Sequence, residues 1–231
     1  MQEKSIIILG IDTSTAIGSV GLLVNQKLIA EHTLDVTQAH SSRLMPVIKT
    51  ILEWGNLNIK DIDALAVATG PGSFTGIRIA VTTAKSICYA IKKPILAIST
   101  LEAIAYNLRY SNQLICPILD ARQDQVYTAI FQGGKNLIRR TEDLCVPLAE
   151  ILNRLDDIND NNDNPVAFIG DGLHRYGENI RGQLDKPILV APTFHVPRGA
   201  NIAYLGTERF QSGDADDYFS ITPNYVRSGN P

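Results

Sequence analysis

The feature that most restricts this sequence is Gly70-Pro71-Gly72-Ser73-Phe74-Thr75-Gly76, set between a strand-like run and a long helical pattern. Asp63–Ala68 is apolar and compact enough for a buried strand. Ser73 is a natural N-cap for a helix that the apolar spacing carries to Ile91. A strand feeding a helix through a tight turn belongs to layered α/β architectures. The free N–H groups and dipole of such a helix start can hold an anion, and glycines serving only the turn explain the spacing equally well. The loop is not of the Walker type, because Ile77 and Arg78 follow Gly76 where a lysine and a hydroxyl are required.

Ser5–Ile11 is rich in β-branched residues and runs into the polar Asp12-Thr13-Ser14-Thr15. Ser19–Val24 and Lys27–Leu34 flank Asn25-Gln26, a two-residue hairpin connection. A helix over Ser41–Trp54 stops at Gly55, with Pro46 placed near its first turns. Pro94–Ile98 reads as a strand and Leu101–Leu108 as a helix. The order β-β-β-α-β-α-β-α predicts a mixed sheet carrying helices over residues 1–110. A second, smaller lobe over 111–231 contains strands at Leu114–Leu119, Gln125–Phe131, Val166–Ile169 and Ile188–Val190, and helices at Leu148–Leu155 and Ala200–Phe210. Asp156–Asn164 has eight Asp or Asn residues among nine, and reads as a mobile loop.

Composition narrows the function classes. Lys and Arg total 21 against 24 Asp and Glu, so no basic excess exists for gripping nucleic acid unaided. Arg139–Arg140 is the only adjacent arginine pair and reads as solvated. Cys88, Cys116 and Cys145 are scattered, which argues against a disulfide framework and a structural zinc site. His32, His40, His174 and His195 show no i, i+3 or i+4 pairing, so a helical metal site of the HExxH kind is absent. No GxSxG motif and no apolar run of about 18 residues occurs. The expectation is a cytoplasmic protein without a membrane segment.

Two features bear on partners. Leu44, Met45, Val47, Ile48, Ile51, Leu52 and Trp54 cover an arc of about 180° on the first long helix, wider than the stripe of about 100° that one core contact needs. On the second, Gly76, Ile79, Thr83, Ser86 and Ala90 form a small or apolar flank beside the core stripe. Two well-buried helices explain the pattern, and so does an assembly face. Asp12, Thr13 and Ser14 at a strand end suit phosphate or magnesium contacts. Gly170-Asp171-Gly172 would let a backbone approach a nucleotide closely, or serve a plain strand-to-helix turn.

Ile8–Ala16, His40–Ile48, Val67–Ile77 and the closing Pro223-Asn224-Tyr225-Val226-Arg227 resemble the bacterial TsaB family in order and spacing. The resemblance is dense over residues 5–110, and GPGSFTG is its most specific block. It implies two ribonuclease-H-like lobes of the actin-like, sugar kinase and Hsp70 ATPase fold, with mixed sheets flanked by helices. It also implies a part in forming threonylcarbamoyladenosine on tRNA next to the anticodon. Partners would be a catalytic TsaD-type subunit and a TsaE-type ATPase, with a homodimer when the chain is alone and tRNA held by the partners. TsaD carries a metal-binding HxxxH where this chain has Thr100 and Ile104, so the resemblance implies a non-catalytic subunit. Asp12, Thr13, Ser14, Gly170, Asp171 and Gly172 become vestigial nucleotide positions, with no resident cofactor and room only for weak or partner-dependent nucleotide binding. The implied pairing surface is Arg43, Val47, Ile51 and Trp54 with Gly76, Ile79, Thr83, Ser86 and Ala90. A stand-alone ATPase or phosphotransferase of the same fold is the alternative.

Overall fold

A computed structural model describes residues 5–35, 40–159 and 165–226. It divides into two compact units, Met1–Ala103 with Pro197–Asn224, and Ile104–Val196 with Tyr225–Pro231.

In the first unit β1 (Ile7–Asp12), β2 (Ile17–Val24) and β3 (Lys27–Asp35) form an antiparallel meander. Asn25 and Gln26 join the last two with φ of +50° and +64°, the left-handed pair that matches strand twist in a tight hairpin. After α1 (His40–Trp54), β4 (Ala64–Gly70), α2 (Phe74–Ile91) and β5 (Ile95–Ser99), the strand order is β3-β2-β1-β4-β5. β4 pairs in parallel with both neighbours and is buried at every position, as expected of a strand covered on two faces. α3 (Thr100–Ala105) follows. One sheet face packs Leu9, Ile11, Val20, Leu22, Leu65 and Val67 against the core stripes of α1 and α2.

The second unit contains β6 (Leu114–Arg122), β7 (Gln125–Thr128), β8 (Phe131–Gln132), β9 (Ile138–Arg139) and β10 (Leu144–Pro147). It continues with α4 (Leu148–Ile158), β11 (Val166–Ile169), α5 (Leu173–Gln183) and β12 (Ile188–Leu189). The sheet runs β10-β7-β6-β11-β12, with β8 on β6 and β9 on β8. Cys116, Ile118, Phe168, Leu152 and Ile180 lie in its separate core.

The chain then returns. α6 (Gly199–Gln211) covers the second face of the first sheet, over β1, β2 and β4. Gly10 and Gly21 are direct cross-strand partners and leave that face bare. A methyl on Gly10 would meet the Ala203 nitrogen at 2.5 Å, and one on Gly21 would overlap the Ala200 nitrogen. Ser19 Oγ accepts the Gly199 N–H and Glu31 Oε1 the Ala200 N–H, both at 2.9 Å, and Glu31 also pairs with Arg198. A carboxylate at the helix start complements the backbone dipole.

Two expectations change here. The sequence assigns everything after residue 110 to the second lobe, whereas the Gly10–Gly21 seam draws 197–224 into the first unit. The expected loop over Asp156–Asn164 begins later, because Asp156, Asp157 and Ile158 complete α4, whose Ile151, Leu152 and Leu155 anchor it in the core. Residues 160–164 lie outside the described residues, as does Arg227. Among the described residues no helix is long and apolar enough to cross a membrane.

Candidate functional site

The polar turn after β1 is closed on itself. Asp12 is fully buried, and its Oδ1 accepts the Ser14 N–H at 2.7 Å and the Ser14 hydroxyl at 2.9 Å. Burial pushes its carboxyl up to about 7, against the lowering effect of the two Ser14 hydrogen bonds. Thr13 Oγ1 donates to the Gly76 carbonyl at 2.6 Å, and the Ser73 N–H to the Ser14 carbonyl at 2.6 Å. Ser73 Oγ accepts the Gly76 N–H at 3.2 Å, the N-cap that the sequence predicts. Gly76 is buried, and a methyl there would overlap the Thr13 carbonyl. Asp12, Thr13 and Ser14 are thus brought together with the glycine loop and hydrogen-bond within it.

In the second unit Gly170-Asp171-Gly172 leads from β11 into α5. The Gly172 N–H donates to the Ile118 carbonyl at 3.0 Å, so the loop is seated on β6. Burial raises the Asp171 carboxyl, opposed by a hydrogen bond from the Asp120 backbone. His174 and His195, which the sequence leaves unpaired, meet edge to face at 5.8 Å between ring centres. His195 Nε2 lies 2.8 Å from the Val190 carbonyl, and burial holds its pKa below the ordinary value. No local spacing could reveal this pair, because 20 intervening residues separate them. Burial pushes the Cys88 and Cys116 thiols up to about 12, which removes both as nucleophiles at neutral pH.

The helix faces divide the expected pairing residues. Arg43 and Trp54 on α1 are exposed, Trp54 to 60%, and Val47 is half-buried. Thr50, half-buried, falls on the same line at i+7 from Arg43, and an apolar arc could not include it. On α2, Ser86 and Ala90 are exposed while Ile79 and Thr83 are half-buried. Ile51 and Gly76 are corrections. Ile51 is fully buried against the sheet, and Gly76 is covered by the Thr13 turn, so neither offers surface to a partner.

The chain is 36% identical over 222 residues to the tRNA threonylcarbamoyladenosine biosynthesis protein TsaB of Bacillus subtilis, covering 95% of this chain and 93% of that one. The chain belongs to the TsaB family. The family model described as "TsaD: tRNA N6-adenosine threonylcarbamoyltransferase" matches residues 28–176, so the TsaB-family chain shares its ancestry with that enzyme. A Pseudomonas aeruginosa structure, an uncharacterized protein with similarity to peptidase YeaZ, superposes with a TM-score of 0.84 at 25% identity, covering 96% of this chain and all of that one. An inorganic polyphosphate/ATP-glucomannokinase from Arthrobacter superposes with a TM-score of 0.50 at 13% identity over 90% of this chain and 99% of that one, a likeness of fold alone. The two mixed sheets flanked by helices are those of the actin-like and sugar kinase fold. Within this TsaB-family chain, Thr100 and Ile104 are both fully buried on α3. Among the described residues no cluster of three His, Cys, Asp or Glu side chains is placed to hold a metal ion.

Proposed function

We propose that the chain is a non-catalytic partner subunit in the formation of threonylcarbamoyladenosine on tRNA. It pairs through α1 and α2 with a TsaD-type catalytic subunit and works with a TsaE-type ATPase. The observation that carries this reading is the surface that the core leaves open on two adjacent helices, with an exposed tryptophan on one and a flank of small side chains on the other. Arg43 and Trp54 on one, and Ser86 and Ala90 on the other, are exposed, while Val47, Thr50, Ile79 and Thr83 are half-buried, Val47 and Ile79 against the core edge. Small side chains on α2 permit close helix approach, and an exposed tryptophan is a typical anchor of a pairing face. The closed Asp12–Ser14 turn supports a subunit that does not turn over nucleotide by itself. Calorimetric titration of the isolated chain with ATP and magnesium is expected to show no tight binding and no hydrolysis. Turnover would instead favour the stand-alone ATPase.

The same face would join two copies when the partner is missing, and tRNA would be held by the partners. Reconstitution tests the role. Catalytic paralogue, TsaE-type ATPase, tRNA, threonine, bicarbonate, ATP and the adenylate-forming enzyme are combined with and without this chain, and the modified nucleoside is quantified by mass spectrometry. Modification should require the chain. Thr83→Arg sets a charge in the middle of the face and should weaken pairing about 100-fold, each tenfold being about 1.4 kcal/mol. Val47→Asp should do the same, but Val47 also touches the core, so Thr83→Arg is the cleaner variant. Wild-type association of Thr83→Arg in analytical ultracentrifugation would overturn the assignment of the face.

A further inference from the structure

The closing Pro223-Asn224 motif lies outside the proposed pairing face, and the segment leading to it touches α2 and two of the strands beside it, β4 and β5. At its start, Asp216 bridges to the β5 edge: its N–H donates to the Ile95 carbonyl at 2.9 Å, and its Oδ2 accepts the Ala97 N–H at 2.7 Å. Arg209 Nη1 completes that edge by donating to the Ala97 carbonyl at 2.6 Å and to Asp216 at 2.9 Å. Tyr218 and Phe219 then stand edge-on to Tyr89 of α2, with ring centres 6.1 and 5.9 Å away. Lys85 of α2 donates its ammonium to the Phe219 and Ile221 carbonyls at 3.3 and 3.1 Å. Ile221 is buried in the same core as α2. Finally the Asn224 N–H donates to the Thr69 carbonyl at 2.7 Å, and the Asn224 carbonyl lies 2.7 Å from where a Gly70 side chain would begin.

We propose that residues 216–224 are a strap that sets the pose of α2 and the glycine loop, and so controls pairing without touching the partner. The inference rests on the pairing reading above. Lys85 and Tyr89 lie about a quarter-turn of α2 or more away from the middle of the Ile79–Thr83–Ser86–Ala90 flank, so the strap holds the helix from beside its free face. Both ends of α2 are engaged. Asn224 fixes the loop that begins it, and the Tyr218–Phe219 pair meets its last turns. Lys85 is the hub, because its ammonium donates to two strap carbonyls at once. Loosening the strap lets α2 shift or roll, and a close-packed helix pair tolerates little of either.

The test uses the full chain and three variants, Lys85→Met, Lys85→Arg and Asn224→Pro, read by sedimentation of pairing and by amide hydrogen exchange. Lys85→Met and Asn224→Pro should each weaken pairing about fivefold or more, at a temperature where circular dichroism shows them fully folded. Exchange should quicken over Gly70–Ile91 and stay unchanged in β1 and β2. Lys85→Arg, which keeps a donor for the carbonyls, should restore most of the affinity. If Lys85→Met pairs like the wild type while Thr83→Arg does not, the strap is overturned and the face stands. If Thr83→Arg pairs like the wild type, the face is wrong, and the strap is judged by exchange alone: quickening confined to Gly70–Ile91 supports it, and none overturns it.

Discussion

Gly21→Val is expected to prevent the first unit from reaching its native state at 37 °C. Its branched side chain would be driven into the backbone of α6 at Gly199 and Ala200, where not even a methyl fits. Backbone against backbone has no rotamer through which to relax, so the helix must lift from the sheet. The cost belongs to the rare class of about 4 kcal/mol or more, set against a total of roughly 5–15 kcal/mol for a domain. Lifting α6 also breaks the Ser19 and Glu31 bonds to its first turn. Gly10→Ala should act in the same direction with a smaller effect. Gly182→Ala is the control: among the described residues, nothing outside its own stretch of α5 lies within 4 Å of the added methyl. That change should stabilise by up to about 1 kcal/mol, because alanine loses less backbone freedom than glycine in a helix. Urea denaturation of the three variants checks the order, and a Gly21→Val protein with wild-type stability would mean that α6 is not seated as described.

Replacing Asp12 by asparagine should stabilise the protein at pH 8 and leave it nearly unchanged at pH 4. Asp12 binds its proton up to about pH 7 when folded, against 3.8 for the free side chain. Between those values the native state holds more protons than the unfolded chain, so stability falls as pH rises from about 4 to 7 and is level above that. At about 1.4 kcal/mol per pH unit the upper bound is about 4 kcal/mol. The side-chain amide of the Asp12→Asn variant would keep an acceptor for the Ser14 N–H and remove the buried charge. Melting temperatures from pH 4 to pH 9 should therefore converge at the acid end and separate towards the alkaline end. A variant less stable than the wild type throughout would show that the charge is met by a favourable partner.

How much of this was legible in the sequence depends on the range of the interaction. The hairpin at Asn25-Gln26, the N-cap at Ser73 and the strand–loop–helix at Gly70 are set by neighbours in the chain, and local pattern finds them. α5 was foreshadowed only by the strand-to-helix reading of Gly170-Asp171-Gly172, because few large apolar side chains mark it, Tyr176 and Ile180 chief among the buried ones. The seam under α6 escaped for a different reason. Gly10 and Gly21 look like ordinary strand glycines until strand register places them side by side, and Gly199 lies far along the chain from both. On α1, angular position gave a wider apolar arc than the core covers, and Met45 and Trp54 are indeed exposed. It could not say where the core ends, so Ile51 and Gly76 fell on the wrong side of that line. The Asp12 turn was recognised as polar and phosphate-like, but only folding reveals that its groups satisfy each other.

The return of α6 also imposes an order on synthesis. β1, β2 and β4 leave the ribosome early, while the helix that covers their second face is made only after all of Ile104–Val196. At roughly 5–20 residues per second those intervening residues take roughly 5–20 s. During that interval the Gly10–Gly21 seam and the neighbouring Ala66 have no cover from their own chain. A nascent chain stalled anywhere before Gly199 would therefore carry a half-dressed sheet, open to chaperones or to another stalled copy. For this architecture the last helix decides whether the first strands are safe to release.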